Sequence, residues 1–529
     1  VQLQIELIAP HRKLRRGCAT SRPDQKRHNR SLERLLREAD LALALQRLLR
    51  PEAAPLAQAD WRALLFQQFH DILPGTAIPE VFEQAEPQWR QARREACRGR
   101  DQALQALLPS HDGWWLVRLQ PHAAGPCTLR LPPGGWRLAA AAEPLPLQPA
   151  PGGGCWTQAP LPAGAVALPL QRLDPASVPP APSDQGLQAA VQQPVQLLQD
   201  EQRWQLSNGL LRAEFGPTGL LQLWGADGVP QLREPLAWCR WVDHGEFWDA
   251  WDIAADYRER PLPLHWQEGP AVAEQGPLCG RLVWRGCCGR SALRLDVQLR
   301  AASPWLELVL QVDWRQRHEL LRLELPLAQP ACRVAADTPG GVIERPAAAV
   351  NAREQARWEW PAISWAATQA SSGGGLAVLL DGPQGVSATA DRLGVSLLRA
   401  PTWPDPSADQ GLQRLRLALM PCVEGWRQQA VPRQAQAFRE PLWVRPSCGT
   451  EPAEPLRLLD FGSDALQLVH LQPLEDTAEQ IVVLQNLSPQ RQRICWPPGW
   501  TATRAEDCPG GDTLAPWQLG RWQVRLQSS

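Results

Sequence analysis

Between residues 32 and 43 the apolar side chains fall at Leu32, Leu35, Leu36, Ala39 and Leu43, spaced i, i+3, i+4, i+7 and i+11. At 3.6 residues per turn this spacing lines them along one face of an α-helix. Trp61, Leu64, Leu65 and Phe69 repeat the pattern as far as Pro74-Gly75, a pair that ends helices. Ile78, Val81, Phe82, Ala85 and Trp89 then open a third amphipathic stretch predicted to run to about residue 108. Three helices with short connections predict an antiparallel bundle over 16–109.

The texture changes at Trp114 to short apolar runs broken by Pro-Pro-Gly-Gly and Pro-Gly-Gly-Gly, turn signals that predict a small β domain over 110–171. The Pro-rich stretch RLDPASVPPAPSDQGLQAAVQQP, from Arg172, reads as a linker or surface excursion over 172–198. Leu306, Leu308, Leu310, Val312 and Trp314 alternate with mostly polar residues, as do Leu321, Leu323, Leu325 and Leu327 against Arg322, Glu324 and Pro326. Period two in neighbouring runs predicts antiparallel strands with one buried face. The texture continues to about 440, so 199–440 is expected to be a large double-sheet sandwich. EQIVVLQNLS at 479–488 and GRWQVRLQ at 520–527 predict a C-terminal β-sandwich over 441–529. The expected class is α+β, mostly β.

At 529 residues the chain exceeds a single core and divides into several domains. A net charge of −1 offers no basic field for a polyphosphate backbone, which argues against a nucleic-acid partner. Lysine occurs only at Lys13 and Lys26, so arginine supplies nearly all positive charge, as a GC-rich coding bias would produce. The 13 cysteines include no C-x-x-C pair, only the neighbours Cys287 and Cys288, and fit free thiols in a reducing cytoplasm. No apolar run approaches the roughly 20 residues that span a bilayer, so no membrane role is expected. The chain opens on Val1 with no signal-peptide pattern after it.

Candidate chemistry concentrates in FQQFHDILPGT, residues 66–76, where His70 and Asp71 end an apolar helical pattern immediately before Pro-Gly. One reading is a helix-end histidine whose charge suits the C-terminal dipole. The other is a loop mouth where imidazole and carboxylate meet a ligand. One His and one Asp do not make a zinc site, which takes three or four ligands at about 2.0–2.3 Å. Eight further histidines form no H-x-H or H-E-x-x-H pair, and no G-x-S-x-G, Walker loop or dinucleotide fingerprint appears. Of the 26 tryptophans, Trp248 and Trp251 are interleaved with Asp249 and Asp252 in FWDAWDIAADY, a pairing suited to stacking on a sugar ring and binding its hydroxyls. Acids capping turns at a sheet edge account for the same pattern.

FQQFHDILPGT resembles the NQFHDILPG motif of the family 38 α-mannosidases. RGCATSRPDQKRHNRSLERLLREAD from Arg16 is similar to the family's entry to its central helical domain, and LSNGLLRAEFGPTGLL at 206–221 to the opening of its large β domain. DAWDI, GVIERP at 341–346 and LLRAPTWPDPSADQG at 397–411 resemble later β-domain signatures, in the family's order.

The resemblance implies a zinc-dependent retaining glycosidase for α-mannoside oligosaccharides, with His70 a zinc ligand and Asp71 a substrate contact. It implies no catalytic residue in this chain, because the nucleophile and acid, with two more zinc ligands, belong to an N-terminal α/β barrel that is not recognisable before residue 16. Retaining chemistry needs two carboxyl groups about 5 Å apart. The expectation is therefore the central and C-terminal part of a cytoplasmic α-mannosidase, inactive unless the barrel is supplied in cis or in trans, with self-association into a homo-oligomer left open. Residues 1–15 depart from the family pattern: Arg15 takes the place of its His, with His11 displaced. A wrong start, a frameshift or a gene-fragment edge would explain this. Cys422, where the family tends to have His after Pro, and LDGPQG at 380–385, lacking its Lys-Tyr-Gly, are smaller departures. The rival expectation is a non-catalytic sugar-binding or scaffold protein derived from such an enzyme.

Overall fold

The computed structural model describes residues 15–174, 184–244, 248–474, 477, 479–505 and 511–526. The atypical start is thus almost wholly outside the described residues, as is most of the Pro-rich run. The described part of 172–198 holds a short helix, Asp184–Ala190, and leads into the strand Gln196–Asp200.

Helix α1, Pro23–Leu49, has proline at its first position, where no backbone N–H is missed. Helix α3, Pro79–Leu107, lies against it. The predicted stripe of α1 packs Leu32, Leu35 and Leu36 against Ala85, Trp89, Ala92 and Ala96 of α3. Trp89 Nε1 donates to Gln25 Oε1 at 2.9 Å, so the one polar atom of a fully buried ring is satisfied. Further along α1, Leu41 to Leu45 is buried on every side. Its second face packs on the C-terminal sheet through Leu466, Leu468 and Leu471.

The bundle is less regular than the pattern predicts. Helix α2 covers only Arg62–Gln67, and Leu65 and Phe69, expected in its buried stripe, are exposed. Leu64 is the residue of that stripe that enters the bundle core.

The rest is mostly β, in several antiparallel sheets. The sheet carrying Asp112–His122 and Gly164–Arg172 takes its outer strands, Trp443–Cys448 and Leu456–Leu459, from beyond residue 440. A nine-stranded and a six-stranded sheet share the largest core. Leu306, Leu308, Leu310 and Val312 enter it from one sheet, and Leu321, Leu323 and Leu325 from the other, as period two predicts.

The opposite face of Glu319–Pro326 is not solvated. Arg322 and Glu324 are buried beneath Tyr257 and Glu359: Arg322 Nε donates to Glu324 Oε1 at 2.9 Å and Nη1 to Glu359 Oε2 at 2.5 Å. Alternation marks the apolar face correctly, but it cannot tell a polar face in water from one covered by distant chain. Beyond 460, Leu466–Pro473, Gln480–Asn486, Leu519–Leu526 and Trp500–Arg504 form a four-stranded sheet on α1.

Candidate functional site

The FQQFHDILPGT segment leaves α2 through overlapping turns: Leu73 N donates to Phe69 O at 3.1 Å, and Thr76 N to Asp71 O at 2.9 Å. Gly75 has φ +83°, and a Cβ there would lie 2.6 Å from Ser21 O and from Arg22 Cβ. Both the left-handed backbone and the close approach demand glycine. The tight exit leaves His70 and Asp71 on the outside of the loop.

The His70 and Asp71 side chains are 58% and 37% exposed, with Nε2 and Oδ2 3.5 Å apart. The His70 ring lies 4.1 Å from that of Phe69, and the Thr76 hydroxyl donates to Asp71 Oδ1 at 3.0 Å. One Asp71 oxygen is thus held from within the loop while the other faces His70. Flanking the pair in the chain, Leu65, Phe66, Phe69 and Ile78 are each more than half exposed, an apolar collar along the same segment.

Trp248, Trp251 and Trp403 form a second cluster, with ring centroids 5.3 to 5.7 Å apart. Trp248 and Trp403 are 60% and 50% exposed, and Trp248 holds a left-handed backbone at φ +59°. The acids interleaved with these rings do not face outward. Asp249 accepts from Thr402 N at 2.6 Å and Trp403 N at 3.2 Å, and Asp252 accepts from Arg16 Nε at 2.9 Å and Nη2 at 3.1 Å. Of the two readings of FWDAWDIAADY, the turn-capping one describes the carboxylates, while the rings remain free for stacking.

Residues 16–26 join the two clusters. Gly17 N donates to Trp251 O at 2.9 Å and Ser21 Oγ to Ala250 O at 2.8 Å. Arg22 reaches Asp405 through Nη1 at 2.7 Å and Asp409 through its backbone N at 2.8 Å. Fully buried Arg399 donates from Nε to Asp243 at 2.7 Å and packs against Gly17, where a Cβ would meet its Nη1. Burial pushes the Asp409 carboxyl up, even though three backbone N–H groups point at it. Residue-by-residue reading gave no role to Arg16, Arg22, Asp243, Arg399 or Asp409. Arg16, Arg22, Arg399 and Asp409 had only membership of RGCATSRPDQ and LLRAPTWPDPSADQG as a signal and Asp243 had none, since the contacts that join the segments cross well over a hundred residues.

Among the described residues no group of three His, Cys, Asp or Glu is placed to hold a metal ion. His70 and Asp71 offer an accessible imidazole and carboxylate, short of the three or four ligands zinc takes. The described residues alone therefore do not fit a zinc centre. No described helix is long and apolar enough to cross a membrane.

Residues 13–107 match the alpha mannosidase middle domain, and residues 206–407 match the glycosyl hydrolases family 38 C-terminal domain. Human alpha-mannosidase 2C1 is 29% identical over 485 residues, covering 88% of this chain and 44% of that protein. The mouse protein of the same name is 28% identical over 479 residues, with 87% and 43% covered. The fold matches the crystal structure of an alpha-mannosidase from Enterococcus faecalis V583 at a TM-score of 0.74 and 13% identity, over 96% of this chain and 68% of that one. The chain belongs to glycosyl hydrolase family 38, of which it carries the middle and C-terminal domains. It spans a little under half the length of those mammalian relatives.

Proposed function

We propose that this chain is the non-barrel portion of a zinc-dependent retaining α-mannosidase acting on terminal α-mannosides in the cytoplasm. His70 supplies one zinc ligand and Asp71 contacts the sugar. The remaining ligands and both catalytic carboxylates come from a barrel domain outside the described residues, in cis or in trans. The observation carrying this reading is the His70–Asp71 pair, exposed on a pinned loop inside the matched middle domain and flanked in the chain by bare apolar side chains. Such a collar suits a surface that another domain covers.

The chain's own contribution follows from geometry. The Thr76 hydroxyl fixes one Asp71 oxygen, so the other is directed toward His70 and open to accept from a sugar hydroxyl. Zinc, when bound, would supply a positive centre for the sugar's oxygens. The chain by itself is expected to show no turnover of 4-nitrophenyl α-mannoside above buffer, because on this reading both catalytic carboxylates belong to the barrel. Measurable turnover by the purified chain would overturn this reading. Activity restored by adding the barrel, and lost again in His70→Ala, would support it.

A second reading is favoured by the bare tryptophan faces: a non-catalytic carbohydrate-binding protein derived from such an enzyme. It predicts mannoside binding by calorimetry in the presence of a chelator, lost in Trp248→Ala. The enzyme reading predicts no such zinc-free binding.

A further inference from the structure

We propose that Lys26 is the positioning residue of the His70–Asp71 loop, its ammonium anchoring the carbonyls of Leu73 and Pro74 to the start of α1. This rests on the reading of that pair as the metal- and sugar-facing side chains. Lys26 Nζ donates to Leu73 O at 3.0 Å, to Pro74 O at 2.9 Å, and to Ser21 O. Three N–H donors meet three carbonyls. Within the described chain, the hydrogen bonds that residues 70–77 make to anything beyond residues 66–78 are those two to Lys26. The other bonds of the loop shape it without attaching it.

Three features make the placement informative. Lys26 is 2% exposed, and among the described residues no carboxylate forms an ion pair with it: its direct partners are the three carbonyls, with Asp409 and Asp24 favouring its charge from farther off. Burial accordingly pushes its ammonium down to about 8. It also stands in the first turn of α1, where the helix dipole disfavours a cation. Finally, the chain has 54 basic residues, and all but Lys13 and Lys26 are arginine. A lysine at this place in an arginine-rich chain, at two electrostatic costs, fits a geometric need: a compact ammonium donates to three converging carbonyls where a planar guanidinium does not. The same Ser21 carbonyl abuts Gly75, so the anchor and the glycine's close approach hold one joint.

The test is hydrogen exchange followed by mass spectrometry on the full chain, comparing the native protein with Lys26→Gln and Lys26→Met. Exchange of the amides at 71–76 is expected to rise about tenfold in Lys26→Met and less in Lys26→Gln, which keeps two donors, with α1, α3 and the sheets unchanged. The His70 ring resonance, assigned by loss in His70→Gln, should shift alongside. Native-like loop exchange in the variants, or exchange rising equally throughout the chain, would overturn the proposal. If Lys26→Met does not fold, the comparison of native with Lys26→Gln decides alone. Neither readout needs zinc or mannoside, so failure of the mannosidase reading leaves the result on Lys26 standing.

Discussion

Two glycines show how much the same substitution depends on its place. Gly75 has φ +83° and a backbone oxygen 2.6 Å from where a Cβ would sit, whereas Gly99 lies inside α3 with nothing within 4 Å of that point. Gly75→Ala is expected to cost about 2 kcal/mol or more through left-handed strain and the clash with Ser21 O. Gly99→Ala is expected to stabilise by roughly 0.5–1 kcal/mol, since alanine loses less freedom in a helix. Urea unfolding midpoints of the two variants check both signs. At this scale a His-Asp pair before Pro-Gly is conspicuous in the sequence, and the structure exposes His70 and Asp71 together on that loop. It was silent about Arg22, Asp243 and Arg399, whose meaning depends on partners no local pattern announces.

The helical elements separate spacing from burial. Leu45 on α1 is completely buried, packed in the core shared with the C-terminal sheet, while Leu65 on α2 is 62% exposed although it falls on an apolar pattern. Leu45→Ala should therefore cost about 2–5 kcal/mol and Leu65→Ala less than about 0.5 kcal/mol, measured by denaturant unfolding. Equal costs would show that the α2 stripe is buried after all. The long elements were legible: α1, α3 and the strand Leu306–Trp314 follow directly from period 3.6 or period two, and Gln480–Asn486 from its short apolar run. What failed was the inference from periodicity to environment. Leu65 and Phe69 keep helical spacing but form an exposed collar, and Arg322 and Glu324 keep strand spacing but are covered by chain from 257 and 359. Strand pairing was equally hidden, because Trp443–Cys448 joins a sheet begun more than 300 residues earlier.

Across the whole molecule, polar side chains bind the modules together. Gln148 donates to Cys279 O and accepts from Leu278 N and Cys279 N, joining the small β region to the large one. Asp40 of α1 accepts from Trp61 Nε1 at 2.7 Å and lies 3.4 Å from His470 Nε2, which faces Gln472 Oε1 at 2.7 Å on the C-terminal sheet. Within the bundle, His28 sits 3.1 Å from Glu86 and stacks on Trp89. Burial pushes both imidazoles down, despite the nearby acids. A histidine whose folded pKa lies below its unfolded value of about 6.5 binds fewer protons folded than unfolded in the interval between the two. Its contribution is therefore present above the unfolded pKa and is lost as pH falls through the folded one. Burial raises the Asp40 carboxyl, which acts in the opposite sense: its contribution is present below the unfolded carboxylate pKa and is lost as pH rises through the folded value. In the window just below 6.5 the two histidines set the slope. The melting temperature should accordingly fall between pH 7.5 and pH 5.5, and the difference should shrink in the double variant His28→Gln with His470→Gln. Thermal melts at the two pH values read this directly. A drop of unchanged size in the double variant would place the acid sensitivity elsewhere than in these two contacts.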